Sequence, residues 1–309
     1  MDNFQESKPP SLTVSISAEK DREEIPSVQS STNLQVAVLM ACHNRKTLTL
    51  HCLDSLRKQE LPEGVSLRVV LVDDGSTDGT KAAIKEKFPE VEVIDGDGSL
   101  YWSRGMLKAW ENSIPCDFYL WLNDDVQLYP NAIASLFETH KQMGQENAIV
   151  TGSISVENST GTHYGGRLFH KLTFTFQPME APSKPVGCHN MTGNFVLVSE
   201  SCRKSIGLLD PFYVHGFADY DYGLRASKKG ISIWLAPGVH GVCEDNSFQG
   251  SYRDTSLPLK ERWRLLMGPK GLPPRMLWKF VRDHASHSKI IFWLAPCVKS
   301  LMGIRGRTI

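Results

Sequence analysis

Two adjacent carboxylates, Asp124 and Asp125, follow Asn123 at the end of the apolar run Phe118 to Leu122. Read as a buried strand, that run delivers all three polar side chains to its C-terminal end, where open α/β sheets hold their ligands. Oxygen donors of this kind suit a hard divalent cation, Mg2+ or Mn2+, which binds through one or two carboxylates plus substrate phosphates. Asn and Asp also favour the start of a solvated loop. Taken alone, the motif leaves both readings open.

The elements that would position such a site repeat the pattern. About 50 residues upstream, Leu67 to Val72 reads as a strand ending in Asp73-Asp74-Gly75-Ser76-Thr77-Asp78, a spacing that fits one or two βα units. Gly75 permits a tight turn, and Ser76, Thr77 or Asp78 can cap the helix that follows. Carboxylates just past the strand can accept hydrogen bonds from a ribose or a base edge. An earlier strand, Val36 to Ala41, ends in Cys42-His43-Asn44-Arg45, ahead of a helical pattern in Leu48, Cys52, Leu53 and Leu56. Three strand ends thus point polar groups at one edge of an α/β, doubly wound, mostly parallel sheet. Later strands, including the hairpin pattern of Thr162 to Phe176, extend it as a mixed sheet.

At these residues the chain resembles the inverting glycosyltransferases of family 2 with the GT-A fold, the class that includes bacterial rhamnosyltransferases and other polysaccharide-building enzymes. The resemblance runs from about Leu34 to about Asn246. It implies that Ala41, His43, Asn44 and Arg45 hold a nucleotide base, that Asp73 and Asp74 contact base and ribose, and that Asn123-Asp124-Asp125 is the DxD-type metal motif. With Asn in its first position, Asp125 is left as the leading metal ligand. Asn123 and Asp124 then fall on the nucleotide side.

Between the acidic junctions, Asp95 to Met106 combines glycines, which let a backbone approach a ligand, with Tyr101, Trp102 and Arg104 ahead of a helix carrying Leu107, Ala109 and Trp110. Arg104 near that helix start can pair with a diphosphate. The aromatics form a wall, with Trp102 on the acceptor side. Downstream, Gly193 and Asn194 lead into a strand, Phe195 to Val198, and also fall on the acceptor side; a helix with Cys202 and Ile206 follows.

Asp219 and Asp221 lie near an expected helix start, where carboxylates benefit from its positive end or simply cap it. The resembling family usually shows Glu-Asp-x-Asp here, with the Asp of the pair as catalytic base. This chain has Ala218 in place of the Glu, which leaves Asp219 as the base candidate and Asp221 as an acceptor contact. Inverting transfer needs one base, which takes the acceptor hydroxyl's proton as that oxygen attacks the anomeric carbon. A cation offsets the charge of the departing diphosphate. Finally, Ile231 to Leu235 reads as a strand followed by Ala236 to Gly241. A lone His after a strand is ordinarily structural, but the resemblance assigns His240 to the metal or diphosphate.

With 309 residues, 22% charged and 41% hydrophobic, the chain can bury a sizeable core. Its 34 basic and 34 acidic residues and a pI near 7.1 give no electrostatic reason to expect a nucleic-acid partner. Seven scattered cysteines without zinc-site spacing fit reduced thiols in the cytoplasm. Composition divides the chain into a disordered tail at 1–33, a catalytic domain at 34–255 and a helical appendage at 256–309. The appendage mixes Trp, Leu and Arg/Lys, which either packs on its own domain or lies in a membrane interface. No stretch reaches the roughly 20 apolar residues needed to span a bilayer.

The expectation is a cytoplasmic enzyme, soluble or peripheral at the membrane, with a nucleotide-diphosphate sugar donor, a glycan or lipid-linked acceptor and a divalent cation. Two other classes compete. A non-catalytic nucleotide-sugar or glycan-binding module is suggested by Asn123 and Ala218, both departures from acids. A haloacid-dehalogenase-type phosphohydrolase fits poorly, because its two acids carry a spacer on the first strand, whereas Asp73 and Asp74 are adjacent and a strand precedes them.

Overall fold

The computed structural model describes residues 33–157, 161–244 and 249–302. The tail expected at 1–33 lies outside them, save for its last residue. Val-, Leu- and Ala-rich runs form Leu34–Cys42 (β1) and Val65–Asp73 (β2), joined by Lys46–Arg57 (α1). Helix α1 buries Thr49, Cys52, Leu53 and Leu56, the face that a 3.6-residue period presents. Next come Thr80–Lys87 (α2), Glu92–Asp95 (β3), Tyr101–Asn112 (α3), Phe118–Leu122 (β4), Val126–Leu128 (β5), Ala132–Met143 (α4) and Ala148–Val156 (β6). Short strands follow at Thr162–Tyr164 (β7), Gly166–His170 (β8), Thr175–Pro178 (β9), Val186–Cys188 (β10) and Asn190–Met191 (β11). The described chain continues through Phe195–Ser199 (β12), Glu200–Ile206 (α5), Ala218–Lys228 (α6), Ser232–Cys243 (β13), Leu259–Met267 (α7), Pro274–His284 (α8) and Lys289–Leu301 (α9).

The main sheet runs in the order β10-β13-β6-β12-β4-β1-β2-β3, and β8, β9 and β11 make a small second sheet. Strands β1 to β4 are parallel, as the doubly wound reading requires. Chain order reverses at β1, which has β2 on one side and β4 on the other, so a crevice opens at the C-terminal ends of these strands. Register aligns Cys42 with Asp73 and Leu39 with Trp121, which brings His43 to Arg45, Asp74 and Asn123 to Asp125 to one edge. Strand β12 is antiparallel to β4 and pairs Phe195 with Leu122. Its starting end therefore reaches the same edge, carrying Gly193 and Asn194.

Side chains alternate between two apolar layers. Ala37 and Leu39 enter one cluster with Trp110, Trp121, Tyr222 and Phe280, while Val36, Val38 and Met40 enter the other with Leu53, Ile84 and Leu136. Residues of α7 and α8, including Leu266, Met276 and Leu277, belong to the first layer, and the described residues gather into one compact unit. Strand β13 differs from the sequence reading, which ended it at Leu235. It continues to Cys243 through register shifts between Leu235 and Gly241. Pro237 and Gly238, just past the end of the expected strand, sit in that irregularity, where a missing N–H and a φ of 82° at Gly238 are accommodated.

Candidate active site

The β1 and β2 loops are tied into one wall. The Asp74 carbonyl can only accept, so His43 Nδ1 carries the proton it donates at 2.5 Å, and His43 Nε2 accepts from Asn44 Nδ2 at 3.1 Å. Asn44, at φ 51°, donates its N–H to Ser76 Oγ and accepts the Thr77 N–H on Oδ1 at 2.7 Å. Asp78 accepts the Lys46 N–H at the start of α1 and the Thr80 N–H at the start of α2, so a single carboxylate caps both helices. Buried Asp74 is similarly committed: its two oxygens accept the Gly98 N–H at 2.8 Å and the Tyr101 N–H at 2.9 Å, capping α3 from another strand. Asp73 accepts the Ser76 N–H at 2.9 Å. A Cβ on Gly96 would lie 2.6 Å from Asp74 Cα, so only glycine allows this approach.

At the end of β4 the acid pair is buried, with both residues 5% exposed. Arg45 Nη1 donates to Asp124 at 3.2 Å and to Asp125 at 2.9 Å. Arg45 thus faces the acid pair directly, although sequence alone placed it with the base-holding segment. Burial pushes the Asp124 carboxyl up to about 7, with Arg45 opposing and the Asp125 charge reinforcing the shift. Asp125 Oδ1 is buried and accepts no hydrogen bond. A hard cation needs such an oxygen, so the donor set fits Mg2+ or Mn2+. Among the described residues no group of three or more His, Cys, Asp or Glu gathers to hold a metal. A cation here would complete its shell from substrate oxygens.

Trp102 links this pair to the second half of the chain. Its Nε1 donates to Asn123 Oδ1 at 2.7 Å, and a Cβ on Gly193 would come within 2.4 Å of its ring, so the indole lies directly on that glycine. The same Cβ position is 3.4 Å from Asp219 Cβ. The Asn194 carbonyl accepts the Asn123 N–H at 3.0 Å. Asp219 accepts the N–H groups of Gly193 at 3.0 Å and Tyr220 at 2.9 Å. Burial raises its carboxyl above the usual range, against the pull of those two donors.

Three other predicted residues are spent elsewhere. Asp221 is buried, with one oxygen 2.7 Å from Arg225 Nε and the other 2.8 Å from His284 Nε2. Burial alone would raise it, yet the His284 hydrogen bond and the Arg225 charge hold it below the usual carboxylate value. It ties α6 to α8, and a two-residue step on a helix turns it away from Asp219. Arg104 donates from Nε to the Pro211 carbonyl at 3.1 Å, which fastens the loop before α6 to α3.

His240 is likewise not brought to the acid pair. Val126 pairs with Cys243, so the next positions outward on that ladder are Asp125 and Glu244, with His240 three residues back. The overlong β13 is the reason. His240 Nδ1 accepts the Ser153 N–H at 3.1 Å and Nε2 donates to Ser135 Oγ at 3.0 Å. Burial lowers its pKa to about 4. The unfolded chain binds this proton from about pH 6.5 downward, so native stability is full above that pH and falls toward pH 4, by about 3 kcal/mol in all. Thermal unfolding across this window should show a falling Tm, and His240→Gln should flatten the fall.

Sequence reasoning missed His215. It touches the Tyr101 ring edge-on, its carbonyl accepts from Ser103 Oγ, and its Nδ1 is buried without a partner. Burial, with Lys270 and Arg45 adding positive charge, lowers its pKa to about 4. No strand-end or motif signal marks it, since it lies in an irregular loop.

The chain resembles known proteins at these same elements. It is 26% identical over 198 residues to the N-acetylglucosaminyl-diphospho-decaprenol L-rhamnosyltransferases of Mycobacterium tuberculosis strains CDC 1551 and H37Rv, covering 54% of this chain and 62% of each relative. It therefore spans less than two thirds of their length. The crystal structure of GalNAc-T7 with UDP, GalNAc and Mn2+ shares the fold at a TM-score of 0.58 and 15% identity, over 86% of this chain and 51% of that one. The α/β sheet with its reversal at β1 is thus the GT-A arrangement expected from sequence. The family described as Glycosyl transferase family 2 matches residues 37–205, more than half of the chain, and the protein belongs to that family.

Proposed function

We propose that the protein transfers a sugar from a nucleotide-diphosphate donor to a hydroxyl acceptor with inversion, in the presence of a divalent cation. The observation that carries this reading is the continuous path from Asp125 through Asn123, Trp102 and Gly193 to Asp219. It sets a buried acid pair and a single carboxylate of raised pKa at one sheet edge. The wall of His43, Asn44, Asp73 and Asp74 frames the nucleoside, and Asn123, Asp124 and Arg45 lie where its ribose and phosphates end. Bound at Asp125, Mg2+ or Mn2+ would supply positive charge to the diphosphate. Arg45, which already spans both acids, adds a fixed cation there.

Trp102 covers Gly193 and closes one side of the acceptor space, excluding water from the anomeric carbon. Asp219, held by the Gly193 and Tyr220 N–H groups, takes the acceptor hydroxyl's proton as that oxygen attacks. Its raised pKa makes it a better proton acceptor than an exposed Asp. One carboxylate suffices, unlike the two that a glycosidase requires. In this reading residues 34–255 make up the catalytic domain and 256–309 its helical extension. The relatives' acceptor is named as a decaprenol-linked sugar diphosphate, which supports a lipid-linked glycan acceptor and a setting peripheral to a membrane. Among the described residues no helix is long and apolar enough to cross one.

The test is calorimetric titration with a panel of nucleoside diphosphates, each with Mn2+ and with chelator. Metal-dependent binding of one nucleotide is the expected result and identifies which activated sugars to assay. Absence of binding to all of them would overturn the reading. Tight binding without turnover of any corresponding sugar would favour the non-catalytic module that Asn123 and Ala218 suggest.

A further inference from the structure

Helices α7 and α9 turn apolar faces away from the protein. On α7, Leu259, Trp263 and Met267 recur every fourth residue and are 62%, 48% and 44% exposed. On α9, Ile290, Ile291, Leu294 and Val298 fall on one stripe, and the least exposed of them is still 46% open. The helix is nonetheless anchored. On its other face Phe292 stacks on Phe174 at 5.3 Å and Trp293 Nε1 donates to the Pro274 carbonyl at 2.9 Å. Helices α7 and α9 also touch each other. The outward stripes therefore belong to a docked helical layer.

The charge around them is one-sided. Residues 257–302 carry nine Lys and Arg against two acidic residues, an excess of seven in a chain whose 34 basic and 34 acidic residues balance overall. Among the described residues Lys260, Arg275 and Lys299 make no ion pair. Lys260 and Arg264 flank Trp263, and Lys299 follows Val298. Apolar stripes rimmed by cations, with Trp at the boundary, match the chemistry of a helix lying in the headgroup region of a bilayer.

We propose that α7 and α9 dock the protein onto an anionic lipid surface. Charge separates this occupant from a second copy of the chain, which would bring the same positive excess against itself. Each basic side chain near an anionic leaflet is worth about five-fold in partitioning, and the apolar stripes add the contribution that salt does not screen. Helix α8, on which α9 packs, reaches α6 through the His284 to Asp221 contact, so a docked protein holds the Asp219-bearing helix one layer from the membrane. The surface stands independently of the transferase reading, because it requires no donor or acceptor.

Flotation of the full-length protein with phosphatidylcholine vesicles, with and without added phosphatidylglycerol, tests this. Binding at least about ten-fold tighter to the anionic vesicles, weakened by high salt, is expected. Trp263→Asp and Ile291→Asp should each reduce it about ten-fold at unchanged Tm, since both side chains already face solvent. Lys260→Gln with Lys299→Gln should erase most of the preference for anionic lipid. Failure to float with either vesicle, or equal flotation of parent and variants, would overturn the proposal. So would a dimer that Trp263→Asp dissociates, which would assign the face to a second copy.

Discussion

Asp219→Asn should lower the rate of the proposed sugar transfer by about 10²- to 10⁴-fold, the range that a positioned general base contributes, while nucleoside diphosphate affinity should stay unchanged. The geometry makes the substitution discriminating. One carboxylate oxygen accepts the Gly193 N–H and the other the Tyr220 N–H, so Asn keeps the volume and one of the two bonds but cannot take a proton. A Tm measured alongside separates a small loss of stability from loss of the base. In the parent enzyme activity should fall with acidity along a limb set above the ordinary carboxylate value, because burial raises the Asp219 carboxyl and only its ionised form accepts the proton. Full transfer by Asp219→Asn would move the base elsewhere.

Asp125→Ala removes the buried oxygen that accepts no hydrogen bond and one of the two partners of Arg45. The metal-dependent increment in nucleoside diphosphate affinity should disappear, a loss of about 10²- to 10³-fold for several kcal/mol of charge stabilisation. Affinity measured in chelator should barely change, since the wall of His43, Asn44 and Asp74 proposed to hold the base lies on other strands. Calorimetry reads this directly, without turnover. Retention of the same metal dependence would show that Asp125 is not a ligand and would leave Arg45 as the cation of the site.

Much of this was legible along the chain because it is local. Continuous apolar runs become parallel strands buried on both faces, and the polar residue after each run lands at a strand end. The acid pair, the Asp73-Asp74 turn and the helix start at Ala218 are all features of short segments, and the structure finds each where the pattern puts it. Errors arose where several partners decide the outcome. Pro237 and Gly238 look like a turn in isolation, but pairing of β13 with β6 and β5 outweighs that local preference and carries the strand to Cys243. His240 consequently ends inside the sheet with both ring nitrogens satisfied.

Asp219 and Asp221 make the same point at closer range. Both are acids in the first turn of α6, and no property of the dipeptide spacing separates them. Only packing does: α8 supplies His284 to one, and the strand start at Gly193 supplies an N–H to the other. By itself the sequence determined the ends of β1, β2 and β4 and therefore the edge at which chemistry-bearing residues collect, because those follow from short apolar runs and turn chemistry. Tertiary structure alone decided that Arg45 bridges the acid pair, that Trp102 joins Asn123 to Gly193 beside Asp219, and that His215 packs against Tyr101. Those contacts join residues many positions apart, and sheet order and register, not local propensity, determine which of them meet.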